Sequence, residues 1–170
     1  MSLFGFQNVG VIGAGQMGAG IAQVVAGAGL KVVLLDQSET QLEVAKASIA
    51  KSASKLCEKS KITEQQRDHA MQNINYVSAV TELKDCDLVV EAIVENERIK
   101  VELFRQLDEL LKPEAIIASN TSSIPITRLA AATKRPDRFI GMHFMNPVPI
   151  MKLVEVISGL ATSDETRDRI

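Results

Sequence analysis

Short apolar runs alternate along the chain with longer segments of helical pattern. The apolar runs predict seven strands, from Asn8 to Ile12, Lys31 to Asp36, Ile74 to Val77, Leu88 to Ala92, Ile116 to Ser119, Phe139 to His143 and Leu153 to Ile157. The longer segments predict a helix through about Gly27, a helix from Thr40 to about Lys59 and a helix from about Glu97 to Leu111. Such alternation is typical of a mostly parallel sheet with helices on both faces. We therefore predict a doubly wound α/β fold.

Two capping signals predict a pair of helices between the second and third strands. Ser38 with Gln41, and Thr63 with Gln66, match the pattern in which the first and fourth residues satisfy each other's backbone N–H groups. The first signal should begin the long helix, and the second should begin a shorter helix that ends near Asn73. The two helices would form a hairpin inserted into the alternating pattern.

A glycine-rich turn follows the first predicted strand. Its residues are Gly13, Ala14, Gly15, Gln16, Met17 and Gly18. In the G-x-G-x-x-G pattern, Gly13 allows a tight exit from the strand and Gly15 lets the backbone approach a pyrophosphate. Gly18 lets the helix pack closely, and the helix N-terminus favours an anion. The pattern in this context predicts a Rossmann-type dinucleotide-binding fold.

Asp36 ends the second predicted strand, at the spacing from the glycines that dinucleotide-binding folds use. Its carboxylate would accept hydrogen bonds from the adenosine ribose hydroxyls and would repel a 2′-phosphate. We therefore predict NAD rather than NADP as the cofactor. The alternative interpretation is a glycine-rich turn beside a surface aspartate.

Composition and charge narrow the class of protein. With 170 residues, 46% of them hydrophobic, the chain has the size and apolar content of one globular domain. The net charge of −2 provides no broad field for nucleic acid or an anionic membrane surface. Cys57 and Cys86 have no metal-ligand spacing, and we expect reduced, partly buried thiols and no metal site. The first residues, 1–6, form no secretory signal and no apolar run reaches membrane-spanning length, so we expect a soluble intracellular protein.

A histidine and a carboxylate lie on the last two predicted strands. His143 closes one strand, and Glu155 lies on the next. If these strands are neighbours, the carboxylate can bind one ring nitrogen, fix the tautomer and raise the basicity of the other nitrogen. This is what a base that removes a hydroxyl proton requires. The alternative is a structural histidine at a strand end.

Hydroxyl and amide side chains follow the fifth predicted strand, in the run Ser119, Asn120, Thr121, Ser122 and Ser123. They would lie at the carboxyl edge of the sheet, where open α/β sheets bind ligands. A helix N-cap before Pro125 is the alternative, and one serine can cap while another points into a site. The glycine turn and the His–Glu pair together predict a dehydrogenase, and this run adds donors at the same edge.

Four segments closely resemble the NAD-dependent L-3-hydroxyacyl-CoA dehydrogenases, including the 3-hydroxybutyryl-CoA enzymes: GAGQMGAGIAQ, DLVVEAIVEN, SNTSSI and GMHFMNPVPIMKLVEVI. The resemblance runs from about Asn8 to the chain end. It implies that His143 is the catalytic base, that Glu155 orients it, and that Ser122 donates a hydrogen bond to the C3 oxygen of the substrate beside the nicotinamide. Met145 stands where the family usually has phenylalanine.

The resemblance also implies binding residues. Cofactor contacts are implied for Asp36, Glu95, Lys100, Ser122 and Asn146. Ser52 and Lys59, on the predicted long helix, match family positions that contact coenzyme A. Without the resemblance, Lys59 would be interpreted as a solvated surface lysine.

The resemblance implies reversible oxidation of an L-3-hydroxyacyl-CoA to a 3-ketoacyl-CoA. Family members continue into a helical second domain that closes over the acyl-CoA and carries much of the dimer interface. We therefore expect residues 1–170 to form a nearly complete NAD-binding domain, and a homodimer when the helical domain is present. Two alternatives stay open: a dinucleotide-binding module without turnover of its own, and a dehydrogenase of a free β-hydroxyacid. The cytoplasm is the simplest compartment, with the mitochondrial matrix or peroxisome as the alternative.

Overall fold

The computed structural model describes residues 5–170, within which seven strands form one sheet. The strands are β1 (Asn8–Ile12), β2 (Lys31–Leu35), β3 (Ile74–Val77), β4 (Leu88–Glu91), β5 (Ile116–Ser119), β6 (Phe139–Phe144) and β7 (Val154–Ser158). The helices are α1 (Gln16–Gly27), α2 (Glu39–Glu58), α3 (Glu64–Gln72), α4 (Glu97–Leu110), α5 (Ile126–Ala130) and α6 (Asp164–Arg169). Each predicted strand is present, with ends that agree to within one residue.

The strand order is β3-β2-β1-β4-β5-β6-β7. The first six strands in this order are parallel, and β7 runs antiparallel to β6. Strands β2 and β3 are added on one side of β1, and strands β4 to β7 are added on the other side. The boundary between β1 and β4 is therefore the topological switch point, where open α/β sheets bind ligands. The predicted doubly wound, mostly parallel fold is confirmed.

Apolar side chains pack on both faces of the sheet. One cluster joins β1 and β2 to α1 and α2 through Val11, Leu34, Ile21 and Ile49. The other joins the opposite face to α4 and α5, and in it the Phe104 and Phe139 rings meet edge to face at 4.8 Å. Helices therefore cover both faces, as the unbroken apolar character of the strands predicts.

The helical hairpin is present as α2 and α3, which pack against each other and against α1. Thr63 and Gln66 form the complete capping box that the sequence predicts. At α2 only one of the two hydrogen bonds of the predicted capping box is present. The Ser38 hydroxyl accepts from the Gln41 N–H, but the Gln41 amide donates to the Ala14 carbonyl at 2.8 Å instead of returning to Ser38. The glycine turn thus supplies the acceptor, and Gln41 ties the hairpin to it.

The structure adds two short helices. Helix α5 begins directly after Pro125, where the sequence offered a helix N-cap as an alternative, but its N-cap residue is Pro125 itself and no side chain caps it. Helix α6 was not predicted, because six residues are too few for a helical period to show in the sequence. Both cysteines are free thiols, but Cys86 is fully buried rather than partly buried. Burial raises the pKa of the Cys86 thiol to about 12, because the thiolate would lose its hydration.

Within residues 5–170, no helix is both long and apolar enough to cross a bilayer. The sequence analysis considered residues 1–6 as a possible secretory signal, and residues 1–4 of that segment lie outside the described residues.

Candidate active site

The glycine turn between β1 and α1 is closely packed except at its centre. Gly13 has a φ of +97°, and a Cβ there would lie 2.6 Å from the Ala92 carbonyl oxygen. A Cβ on Gly18 would lie 1.7 Å from the Gly13 carbonyl oxygen. A Cβ on Gly15, by contrast, would meet no atom within 4 Å. Two glycines are therefore required by close packing, while Gly15 borders open space at the N-terminus of α1.

Asp36 lies directly after β2 and braces this turn. One carboxylate oxygen accepts from the Ala14 N–H at 2.8 Å, and the other accepts from the Ser38 N–H at 2.9 Å. Each oxygen keeps a further lone pair for a hydroxyl donor. Gly13, Gly15 and Asp36 line a cleft of about 1280 Å³, and the apolar residues Val94 and Ile99 line it as well.

This cleft has the features that an NAD adenosine and pyrophosphate require. An acidic side chain faces it, its floor at Gly15 carries no side chain, and the α1 N-terminus has no side-chain cap that would occupy its N–H groups. A helix N-terminus without a cap attracts phosphate. The residues present therefore fit the cofactor.

His143 and Glu155 come together where β6 and β7 pair. The antiparallel register places them directly opposite each other, and His143 Nδ1 lies 2.8 Å from Glu155 Oε2. A carboxylate only accepts, so Nδ1 carries the hydrogen and Nε2 is left as the basic nitrogen. The His143 side chain is 23% exposed. The predicted contact between the two side chains is thus present.

The loop after β5 is held by a single carboxylate. We call residues 121–123 the serine loop. Glu95 accepts from the Thr121 hydroxyl, from the backbone N–H groups of Ser122 and Ser123 at 3.1 and 3.3 Å, and from the Ser123 hydroxyl. Burial raises the pKa of Glu95, but the Thr121 hydrogen bond and the Lys100 charge outweigh burial, so the pKa lies below its ordinary value. The carboxylate thus stays ionised beside Ser122.

Lys100 is buried under this loop, with only 1% of its side chain exposed. Its ammonium lies 2.5 Å from Glu91 and 3.2 Å from Glu95. Sequence reasoning did not single out Glu91, although an acid that ends an otherwise apolar strand is a signal in itself. In this structure Lys100 joins two carboxylates, and its direct contact with the cofactor stays a prediction.

Two asparagines connect the loops at this edge of the sheet. The Asn120 carbonyl oxygen accepts from the Phe144 N–H at 2.8 Å, which joins the start of the serine loop to the end of β6. The Asn146 carbonyl oxygen accepts from the Gln16 amide at 3.2 Å, which joins the loop after β6 to the glycine turn. Asn120 belongs to the hydroxyl and amide run that the sequence places at this edge, and here its side-chain oxygen is an acceptor for a backbone group. These bonds place the His143 strand beside both the serine loop and the glycine turn.

The two residues matched to coenzyme A contacts lie at different places on α2. Ser52 is half-buried and lines a second cavity, of about 300 Å³, together with Gly15 and Asn146. Lys59 is exposed at the C-terminal end of the helix and lies outside this cavity. His143 and Glu155 line neither cavity.

The fold and the glycine turn define the class as a doubly wound NAD-binding domain with a His–Glu pair at its carboxyl edge. A sequence model of the family described as "3-hydroxyacyl-CoA dehydrogenase, NAD binding domain" matches residues 8–170. The chain belongs to the 3-hydroxyacyl-CoA dehydrogenase family and corresponds to its NAD-binding domain.

Relatives of known name agree with this placement. A probable 3-hydroxybutyryl-CoA dehydrogenase of Deinococcus radiodurans is 59% identical over 92% of this chain and 56% of its own length. The mitochondrial hydroxyacyl-coenzyme A dehydrogenase of Sus scrofa is 47% identical over 96% of this chain and 54% of its own length. The crystal structure of (S)-3-hydroxybutyryl-CoA dehydrogenase from Ralstonia eutropha superposes with a TM-score of 0.91 at 48% identity, covering 96% of this chain and 58% of that one. The chain thus spans a little over half the length of these relatives.

Proposed function

We propose that this chain is the cofactor-binding and catalytic-base part of an enzyme that reversibly oxidises an L-3-hydroxyacyl-CoA to a 3-ketoacyl-CoA. The observation that carries the proposal is the 2.8 Å contact between His143 Nδ1 and Glu155, which leaves the other ring nitrogen basic. Membership in the 3-hydroxyacyl-CoA dehydrogenase family supports the substrate class.

The proposed chemistry is a proton transfer coupled to hydride loss. His143 Nε2 takes the proton of the 3-hydroxyl group, and Glu155 stabilises the imidazolium that forms. Ser122, in the loop fixed by Glu95, donates a hydrogen bond to the C3 oxygen. NAD, when bound, supplies the acceptor for the hydride that leaves C3. In the reverse direction His143 returns the proton to the ketone oxygen.

The cofactor is assigned to the residues around the glycine turn. Gly15 gives the pyrophosphate room beside the α1 N-terminus, and Asp36 accepts from the ribose hydroxyls. Glu95 and Asn146 would face the nicotinamide half, and Lys100 would act there through its pairing with Glu95. The full proposed set is Gly13, Ala14, Gly15, Gln16, Met17, Gly18, Asp36, Glu95, Lys100, Ser122 and Asn146.

Coenzyme A is proposed to lie along α2. Ser52 is half-buried beside the second cavity, and the exposed ammonium of Lys59 can pair with a phosphate. Ser52 and Lys59 distinguish the two substrate classes, because a free β-hydroxyacid has no coenzyme A group that could contact them.

A second candidate is a dinucleotide-binding module without turnover of its own. The observation that favours it is that Gly15 and Asp36 line the larger cleft, whereas His143 and Glu155 line neither cavity. Binding of NADH without its oxidation would distinguish this candidate from the first.

We also propose a homodimer when a second domain is present, and a cytoplasmic location. Exposed apolar side chains near β7, among them Ile150, Leu153 and Leu160, support a protein contact there. Relatives from bacteria support the cytoplasm, and the relative named as mitochondrial supports an organelle as the alternative.

The deciding experiment is oxidation of NADH by acetoacetyl-CoA, followed by absorbance, with wild type, His143→Ala and His69→Ala. His69 is the other histidine of the chain and lies half-buried on α3, away from the pair, so it is a matched control. Turnover that is lost only in His143→Ala, with NADH binding unchanged, supports the proposal. Turnover that survives in His143→Ala would overturn it, and NADH binding with no turnover in wild type would favour the module.

A further inference from the structure

A second carboxylate lies beneath the serine loop and has no part in the proposed chemistry. Glu91 is the last residue of β4 and is 0% exposed. It accepts from the Ile93 N–H at 2.7 Å, the Ser119 hydroxyl at 2.6 Å and the Lys100 ammonium at 2.5 Å. An ionised carboxylate at this depth is costly unless it is fully paired. These three donors satisfy that requirement.

Lys100 is shared between two carboxylates of different depth. Its ammonium is 2.5 Å from the buried Glu91 and 3.2 Å from Glu95, whose side chain is 38% exposed. Because Lys100 also pairs with Glu91, its positive charge does not fully neutralise Glu95. The Glu95 carboxylate can therefore still accept hydrogen bonds from other donors. Those donors are the backbone N–H groups and hydroxyls of the serine loop.

The geometry makes the position of Glu95 dependent on Glu91. If Glu91 did not hold the ammonium, Lys100 would be free to pair with Glu95 alone and draw that carboxylate away from the loop. The register supports the same dependence, since Glu91 pairs with Ser119, the last residue before the loop region. Glu91 is therefore connected to the loop both through Lys100 and through β5.

We infer that Glu91 is a positioning residue that, through Lys100, holds the Glu95 carboxylate against the serine loop and so fixes the place of Ser122. The role of Ser122 toward substrate and cofactor rests on the proposed function. The loop contacts themselves do not, and they can be followed in the ligand-free chain.

The test uses Glu91→Gln, which keeps the shape of the side chain and leaves Lys100 paired with Glu95. In the ¹⁵N–¹H spectrum of the ligand-free chain, we expect the amide resonances of Ser122 and Ser123 to move. We also expect the NADH dissociation constant, measured by fluorescence, to rise about tenfold, the size of effect that one charge-assisted hydrogen bond has.

The matched control is Asp108→Asn. Asp108 pairs with Arg135 at 2.8 Å, with side chains that are 7% and 12% exposed, and this pair lies at the other end of α4. This variant should lose thermal stability without moving the serine-loop resonances or the NADH affinity. The Asp108→Asn variant thus shows how far the loss of an ion pair with a purely structural role changes the loop resonances and the NADH affinity.

The inference is overturned if folded Glu91→Gln has the loop resonances and the NADH affinity of wild type. If that variant does not fold, Glu91→Asp keeps a charge opposite Lys100 but withdraws the carboxylate by one methylene, and its loop resonances decide in the same way. Failure of wild type to bind NADH would overturn the proposed function instead, and the ligand-free resonances would still test Glu91.

Discussion

Replacing Gly15 by alanine should separate cofactor binding from folding. The added methyl group would meet no protein atom within 4 Å, and Gly15 has a φ of −69°, which alanine adopts without strain. The methyl group would instead stand in the open space beside the α1 N-terminus. A phosphate that approaches the backbone there would be pushed away from the N–H groups.

The expected change in stability is small because two effects oppose each other. Replacing glycine with alanine restricts the unfolded chain and stabilises by about 0.4–1 kcal/mol. Alanine is a poorer N-cap than glycine, which costs about 0.5–1 kcal/mol. The net change should stay within about 1 kcal/mol, which is a shift in Tm of no more than about 2–4 °C for a chain of this size.

The expected change in NADH affinity is large by comparison. A charge-assisted hydrogen bond contributes about 1.5–3 kcal/mol, so the loss of one such bond to the phosphate weakens binding about 10- to 150-fold. Tm by calorimetry and NADH binding by fluorescence measure the two effects separately.

Gly18→Ala is the contrasting control. Its Cβ would lie 1.7 Å from the Gly13 carbonyl oxygen, a backbone atom that cannot rotate away. This overlap should destabilise the fold by about 1–3 kcal/mol or more. Wild-type NADH affinity in a folded Gly15→Ala variant would refute the assignment of the phosphate to Gly15. An unchanged Tm in Gly18→Ala would refute the packing argument.

Three further outcomes are expected. In a protein that includes the second domain, Glu155→Gln should lower turnover about 10- to 100-fold with NADH affinity unchanged, measured by steady-state kinetics, because His143 loses its charged partner; equal turnover would contradict the pair. Lys59→Glu in the same protein should raise KM for acetoacetyl-CoA, while Lys55→Glu, one turn earlier on α2, should not, and equal KM values would remove the coenzyme A assignment. For Asp87, burial raises the pKa, but the backbone N–H groups that it accepts from and the Lys112 ammonium outweigh burial, so the pKa lies below its ordinary value. The stabilisation by Asp87 is thus fully present above the ordinary carboxyl pKa and is lost as the pH falls through the lower folded pKa. Asp87→Asn should therefore destabilise more at neutral pH than in acid, which urea unfolding of both proteins under the two conditions checks, and an equal loss under both would contradict it.

The sequence predicted those features that depend on local pattern. Strand positions follow from apolar runs, and the His143–Glu155 contact follows once their strands are neighbours. The sequence left the direction of the last strand open. The direction of β7 is set by the path of the loop of residues 145–153. The pattern of apolar residues within a strand does not indicate whether that strand is parallel or antiparallel to its neighbour.

Two other polar contacts between separate elements were not predictable from the pattern. Gln41 matches a capping box, yet its amide reaches the Ala14 carbonyl because the fold brings α2 beside the glycine turn. Glu91 and Lys100 are nine residues apart on different elements, and the buried pair exists only because α4 folds back over the end of β4. In both cases tertiary structure chooses the partner among several that the sequence allows.

The antiparallel strand β7 has a consequence for how the domain would lose function on heating. It lies at the end of the sheet, and four of its five side chains are exposed, so little apolar burial holds it in place. Such edges open before the core does. Because Glu155 lies on β7 and His143 on its neighbour, fraying of this single strand would separate the pair while the rest of the sheet, and the glycine turn at its centre, stayed folded. Catalytic competence would then melt at a lower temperature than the nucleotide site.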